Sequence, residues 1–320
     1  MLNLKKTILI VILTLFLFEI SSFLVIFFKI QPYQLNLFYG IKNYTEKEFQ
    51  IYLDQRDEDL GWPTKRLLNK YHNNKGFRKT PDLILYNNKE ICLSLYGDSF
   101  IYSADVQHEE ALGNILTNKL KCPVLNYGVG GYGTDQSVLR FISNNDKSTK
   151  IILGIYPEDL KRNLTSNLEL ILSRDKISLY SFKPKFEYKF NELKLIPIPV
   201  KNYNDYKNFK SNYAEFMHGD FFIKNHNFKQ FEKKFPYSLV IIKSMFRNIL
   251  NRFDYLVWNG FLPDEKPFWL RNLESINLNN KIIELFFQTC NENSQECNVL
   301  IIPDLVSINY FIESKININK

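Results

Sequence analysis

Histidine and cysteine are scarce in this chain, and like charges never gather into a long run. Four histidines and four cysteines occur among 320 residues. No Cys/His spacing resembles a zinc site, so no metal is expected. The net charge is +7, but the lysines are scattered among Asn, Phe, Tyr and Asp. No basic stripe forms, which argues against a nucleic-acid partner. Internal repeats and low-complexity tracts are absent, so solenoids and disordered arrays are excluded. Hydrophobic residues make up 45% of the chain and charged residues 23%, enough apolar material for a packed core.

One apolar stretch is long. Thr7 to Phe28 is interrupted only by Glu19 and small hydroxyl residues. Its length suits about 30 Å of hydrocarbon, which takes roughly 20 helical residues. Lys5 and Lys6 precede it, predicting a cytoplasmic N-terminus. No small-x-small cleavage site follows, so the segment reads as an uncleaved anchor over 1–30. The main domain is then periplasmic or extracellular, and the membrane is its first partner. Glu19, mid-span, either meets a partner element or is protonated and tilted out. Cys290 and Cys297 flank a polar stretch and suit a local disulfide, as an oxidising compartment allows. Cys92 and Cys122 read as plain core residues.

Residues 31–88 read as a connector with two ordered loops, around Asp57 to Pro63 and Tyr71 to Arg78. Short apolar runs at Ile91–Tyr96, Val124–Tyr127, Ile151–Tyr156 and Asn298–Ile302 read as buried strands. Helical spacing covers His108 to Leu120, a segment opened by Thr134 as N-cap, and Ile276 to Phe287. This alternation predicts an α/β domain over 89–320, with a parallel sheet and helices on both faces. From Asn163 to about 270 the pattern gives way to dense aromatics, read as a large insertion packed on the sheet.

In such sheets function collects at the carboxyl ends of the strands. Gly97-Asp-Ser99, Gly128 to Gly133 and Pro157-Glu-Asp159 all fall there. A serine at a sharp strand-to-helix turn is well placed as a nucleophile, and nearby N–H groups can hold an oxyanion. Asp98 has a structural role, bonding loop backbone. Gly128 and Gly130 let backbone approach a ligand closely. The plainer reading of both segments is a pair of tight turns. The glycine loop lacks a phosphate-loop lysine and the dinucleotide spacing at a first strand, so no nucleotide cofactor is expected.

Leu95-Tyr-Gly-Asp-Ser-Phe100, followed by Asn126-Tyr-Gly-Val-Gly-Gly-Tyr-Gly-Thr-Asp-Gln136, resembles the first two blocks of the SGNH (GDSL-type) hydrolase family. Asp59-Leu-Gly-Trp62 and His72-Asn-Asn-Lys-Gly-Phe-Arg78 resemble membrane-anchored members associated with bacterial surface polysaccharides. The resemblance implies a three-layer α/β/α flavodoxin-like fold and ester chemistry, with Ser99 as nucleophile and Gly128 or Gly130 as oxyanion donor. Two family blocks depart. Gly154-Ile-Tyr-Pro-Glu-Asp159 stands where Gly-x-Asn-Asp is expected, leaving Asn163 as a substitute donor. Asp304-Leu-Val-Ser307 stands where Asp-x-x-His should supply a base. His72 or His218 is then the candidate base, or the base has been lost. The expectation is a serine esterase or O-acyltransferase acting on acyl esters of a cell-surface glycan. Its partners would be an acylated glycan or acyl donor and other envelope polysaccharide proteins. The alternative is an inactive binding or assembly protein with the same fold.

Overall fold

The computed structural model describes residues 4–26, 40–65, 70, 72, 73, 75–172, 176–225, 235–242, 245, 246, 270 and 272–314. The chain divides into two compact units. One comprises Met1–Asn43, Leu172–Ser178 and Lys207–Pro263; the other comprises Tyr44–Ile171, Leu179–Tyr206 and Asp264–Lys320. The expected insertion is therefore split. Residues 163–171 and 179–206 stay with the sheet, whereas 172–178 and 207–263 belong with the N-terminal segment.

In the first unit, helix α1 (Leu4–Leu24) is apolar on all sides. Its Lys6–Leu24 stretch has a mean hydropathy of 2.4 and is long and apolar enough to cross a membrane. Glu19 is not an isolated acid. Its carboxylate accepts the backbone N–H groups of Tyr237 and Ser238, the latter at 3.1 Å. These residues begin a helical stretch over 237–242. Below them Val240 packs on Ile26, with Tyr237 and Ile241 alongside.

The second unit begins with helix α2 (Glu46–Gln55), opened by a capping box between Thr45 and Glu48. Four parallel strands follow. Strand β1 (Leu93–Tyr96) leads into a single helical turn, α3 (Ser99–Tyr102), then helix α4 (Leu112–Leu120). Strand β2 (Val124–Asn126) leads through the glycine loop into helix α5 (Thr134–Asn144). Strand β3 (Lys150–Ile155) leads into the turn α6 (Asp159–Arg162). A hairpin, β4 (Lys185–Lys189) and β5 (Glu192–Ile196), forms its own antiparallel pair. Helix α7 (Leu273–Glu292), strand β6 (Glu296–Ile301) and helix α8 (Leu305–Ser314) complete the unit.

The sheet order is β2-β1-β3-β6, all parallel, with Leu95 opposite Asn126 and Ile152 and with Ile155 opposite Ile301. It matches the first four positions of the flavodoxin-type order. Strand alternation explains the layers. Leu93 and Leu95 face Ile101, Val124, Leu112 and Leu116, the last two from α4. Tyr96, on the opposite face, packs on Tyr127 and Phe141, and Phe141 meets Phe286 of α7. Helices thus cover both faces, as expected.

Two expectations are corrected. Cys92 and Cys122, expected as plain core residues, are joined by a disulfide, while Cys290 and Cys297 are bridged as expected. The first pair links the approach to β1 with the approach to β2, two neighbouring parallel strands whose starting points lie side by side. Gly133, not Thr134, occupies the N-cap of α5, and Thr134 is its first, fully buried residue.

Candidate functional site

All four residues of β1 are buried, so the chain must leave the sheet abruptly at Gly97. A Cβ at Gly97 would lie 2.5 Å from the Ile101 side chain and 3.0 Å from the Gly154 carbonyl. Only glycine fits this close approach. Asp98 then caps the turn, its Oδ1 accepting the Phe100 N–H at 2.9 Å. Ser99 is the first residue of α3 and is half-buried.

The glycine loop lies against this turn. A Cβ at Gly128 would stand 2.5 Å from the Tyr102 nitrogen, so that glycine admits α3. Its N–H is donated to Asn126 Oδ1 at 3.0 Å, which removes it as an oxyanion donor. Gly130 is the glycine beside the serine: a Cβ built there would be 3.9 Å from the Ser99 Cβ. Its carbonyl accepts the Trp62 indole N–H at 3.0 Å, and the Trp62 carbonyl accepts the Tyr132 hydroxyl. The loop at Asp57 to Pro63 therefore braces the glycine loop from outside. The second loop also packs here. Arg78 donates its N–H to the Asn126 carbonyl at 2.8 Å, and its guanidinium caps the carbonyls of Tyr102, Ser103 and Val106.

Beneath Ser99 sits a buried charge cluster. Arg162 donates to Asp98 Oδ2 at 3.2 Å, Asp159 Oδ1 at 3.0 Å, Glu158 Oε2 at 2.8 Å and the Tyr132 carbonyl at 2.9 Å. Asp98 and Asp159 are almost wholly buried. Burial works against the guanidinium charge, yet Asp159, Glu158 and Asp98 outweigh it and hold the Arg162 pKa above its ordinary value. Burial drives the Asp159 carboxyl well above the usual carboxylate range, with Arg162 opposing. Glu158 is thus held by Arg162. Tyr156, at the end of β3, packs on Phe100 with ring centroids 4.3 Å apart. Burial raises its phenol pKa, and the carboxylates of Asp304 and Glu158 add to the effect.

Comparison with known proteins gives a narrow result. No family model matches the chain, and no curated protein matches it. Among the solved structures that do are the SGNH-hydrolase family esterase AlinE4 and a mutant of it. Each is 24% identical over 24% of this chain and 47% of its own, with a TM-score of 0.22. The chain therefore spans about half the length of those structures.

Several of the expected site residues stand elsewhere. Asn163 is fully buried. Its Oδ1 accepts the Asp135 N–H at 3.1 Å and its Nδ2 donates to Asn279 at 3.1 Å. It brackets α5 and α7, with both ends of its side-chain amide engaged. His218 belongs to the first unit, where its Nδ1 donates to the Glu215 carbonyl at 2.9 Å. Its sequence neighbour Asp220 caps the Phe222 N–H at 3.0 Å. His72 lies in the unit of Ser99, buried, with its ring 5.4 Å from that of Tyr102. His226 lies outside the described residues. Asp304 follows β6 and accepts the Ser307 N–H at 2.6 Å. Among the described residues no side chain hydrogen-bonds the Ser99 hydroxyl.

Arg162, Tyr156 and Trp62 went unmarked in the sequence as site residues. Arg162 carried a signal: Glu158 and Asp159 precede it by four and three residues, the spacing at which helical side chains meet.

Proposed function

We propose that this protein is a serine esterase or O-acyltransferase that works through an acyl-Ser99 intermediate on acyl esters of a cell-surface glycan. One observation carries the reading: Gly130, on a loop braced by Trp62, stands beside Ser99 at the carboxyl edge of the sheet. Ser99 Oγ attacks the acyl carbonyl and its proton passes through a base to the departing alkoxide. The acyl group then moves from Ser99 to water or to a sugar hydroxyl. Backbone N–H groups of the glycine loop would receive the oxyanion. His72 is the base candidate in the same unit, packed on the turn that carries Ser99. Lys5 and Lys6 ahead of the anchor support a domain outside the cytoplasm, and two disulfides suit an oxidising compartment. The glycan substrate rests on the likeness of the Asp59 to Trp62 and His72 to Arg78 loops to polysaccharide-associated members.

A second reading has its own observation. With no described side chain bonded to the Ser99 hydroxyl, the fold also fits a binding or assembly protein that has lost its chemistry. A fluorophosphonate probe on the full chain in detergent separates the two. The esterase reading expects an adduct on Ser99, lost in Ser99→Ala, together with aryl acetate hydrolysis that falls in His72→Gln. No adduct at Ser99, beside a control hydrolase that labels, establishes the second reading.

A further inference from the structure

The apolar surface of this protein does not end with α1. Residues 235–246 expose Phe235, Leu239, Ile242, Met245 and Phe246, at 73, 46, 49, 60 and 63%. Positions 235, 239, 242 and 246 recur at helical spacing on one side. The other side is apolar too, with Val240 against Ile26 and the Tyr237 ring 5.2 Å from Phe23. The described residues of this stretch are apolar toward their neighbour and outward, with Lys243 the one charged residue in the sequence between them. That pattern suits a lipid boundary, where a lysine stem lies along apolar surface and its ammonium reaches a headgroup.

The contact with α1 fixes the depth. Glu19 is five residues before the end of α1, about 7.5 Å along the axis at 1.5 Å per residue. Its carboxylate holds the first N–H groups of the 237–242 stretch. In lipid every such group must find an internal acceptor, and Pro236 just before them has no N–H to satisfy. The polar side chain that looks misplaced in the span is the acceptor that a helix start at that depth requires. Lys243 within this stretch of sequence, and Arg247 and Arg252 after it, are basic residues that suit anionic headgroups.

We infer that the stretch carrying residues 235–242, 245 and 246 forms a second membrane-embedded element, inserted into the outer leaflet beside α1 and docked there by Glu19. The occupant of its exposed face is lipid acyl chain. This rests on α1 spanning the membrane, and the test separates the two claims. Full-length protein carrying Leu239→Cys, Met245→Cys or, as a control in α1, Leu15→Cys is labelled with an environment-sensitive fluorophore. It is then reconstituted in phosphatidylethanolamine–phosphatidylglycerol vesicles containing a nitroxide-labelled lipid. All three sites are exposed in the structure, so labelling leaves packing intact. The inference expects lipid quenching at 239 and 245 within about twofold of that at 15, and little quenching by aqueous iodide. Glu19→Leu should lower lipid quenching at 245 severalfold while leaving 15 unchanged. Lipid quenching at 15 with iodide quenching at 239 and 245 overturns the inference and leaves the anchor standing. Iodide quenching at all three overturns both.

Discussion

At Arg162 one guanidinium serves three carboxylates and a backbone carbonyl, and two of those carboxylates are buried. Removing the cation strands Asp98 and Asp159 without a counter-charge. Breaking a buried pair this way costs about 3–5 kcal/mol, so Arg162→Met should lower the urea midpoint sharply. Arg162→Lys should recover part of the loss, because a single ammonium cannot reproduce the fork that reaches Asp98 and Glu158 together. Trp62 offers a finer perturbation. Trp62→Phe keeps an aromatic, though smaller, ring beside Tyr132 and deletes the indole N–H that holds the Gly130 carbonyl. The lost bond is worth about 0.5–1.5 kcal/mol, so aryl ester turnover should fall roughly 2–10-fold with little change in melting temperature. The Gly97-Asp98-Ser99 turn was legible because its chemistry is local: a glycine where a Cβ clashes and a carboxylate that caps two residues on. The choice between Gly128 and Gly130 was not legible. It turns on the Asn126 side chain, which takes the Gly128 N–H. Asn163 was singled out one position away from the residue that reaches Asp98 across 64 positions.

The sheet strands announced themselves as short apolar runs, and each observed strand falls within two residues of its expected span. The disulfide between Cys92 and Cys122 did not, because lateral neighbours in a parallel sheet can be any distance apart in sequence. Cys290 and Cys297 were legible since only 7 positions separate them. That bridge ties the end of α7 to β6, one of the two edge strands of the four. Cys290→Ser combined with Cys297→Ser should cost about 2–4 kcal/mol, read by chemical denaturation, with Cys92 and Cys122 still bridged. The β4–β5 hairpin stayed hidden for a different reason. Its residues do alternate, Lys185-Phe-Glu-Tyr-Lys189 and then Glu192-Leu-Lys-Leu195, a period of two that marks a half-buried strand; the signal was lost among the dense aromatics on either side.

The second unit holds a set of buried phenols around one face of its sheet. Burial pushes Tyr127 up to about 12, with Asp146 adding and Arg140 opposing. Burial also raises Tyr132, and it raises Tyr96 well above its usual range, where Asp146 adds again. The folded protein therefore keeps these protons at pH values where the unfolded chain has released them. Their contribution is complete below about pH 10, the ordinary tyrosine value, and is lost as pH rises through the folded values. The urea midpoint should hold steady to pH 10 and decline from there toward 12, with phenolate absorbance appearing together with unfolding. A gradual rise in phenolate signal while the fold persists would refute this. Division into two units was only partly visible beforehand. The anchor stood out by its length, but the return of 207–263 to the same unit depends on contacts no local pattern encodes.

Glu19 and Ser238 are 219 residues apart in the chain, and that separation has a consequence in time. Synthesis proceeds at roughly 5–20 residues per second, so α1 waits on the order of 10–40 s before its carboxylate meets the backbone it caps. During that interval the helix carries an acid with nothing of its own chain to satisfy. On the proposed membrane-spanning reading, nascent chains halted before residue 235 should stay bound to membrane-insertion factors, and chains extended far enough past residue 246 to clear the ribosome should be released. Equal retention of the two lengths would show that the carboxylate needs no such guardian.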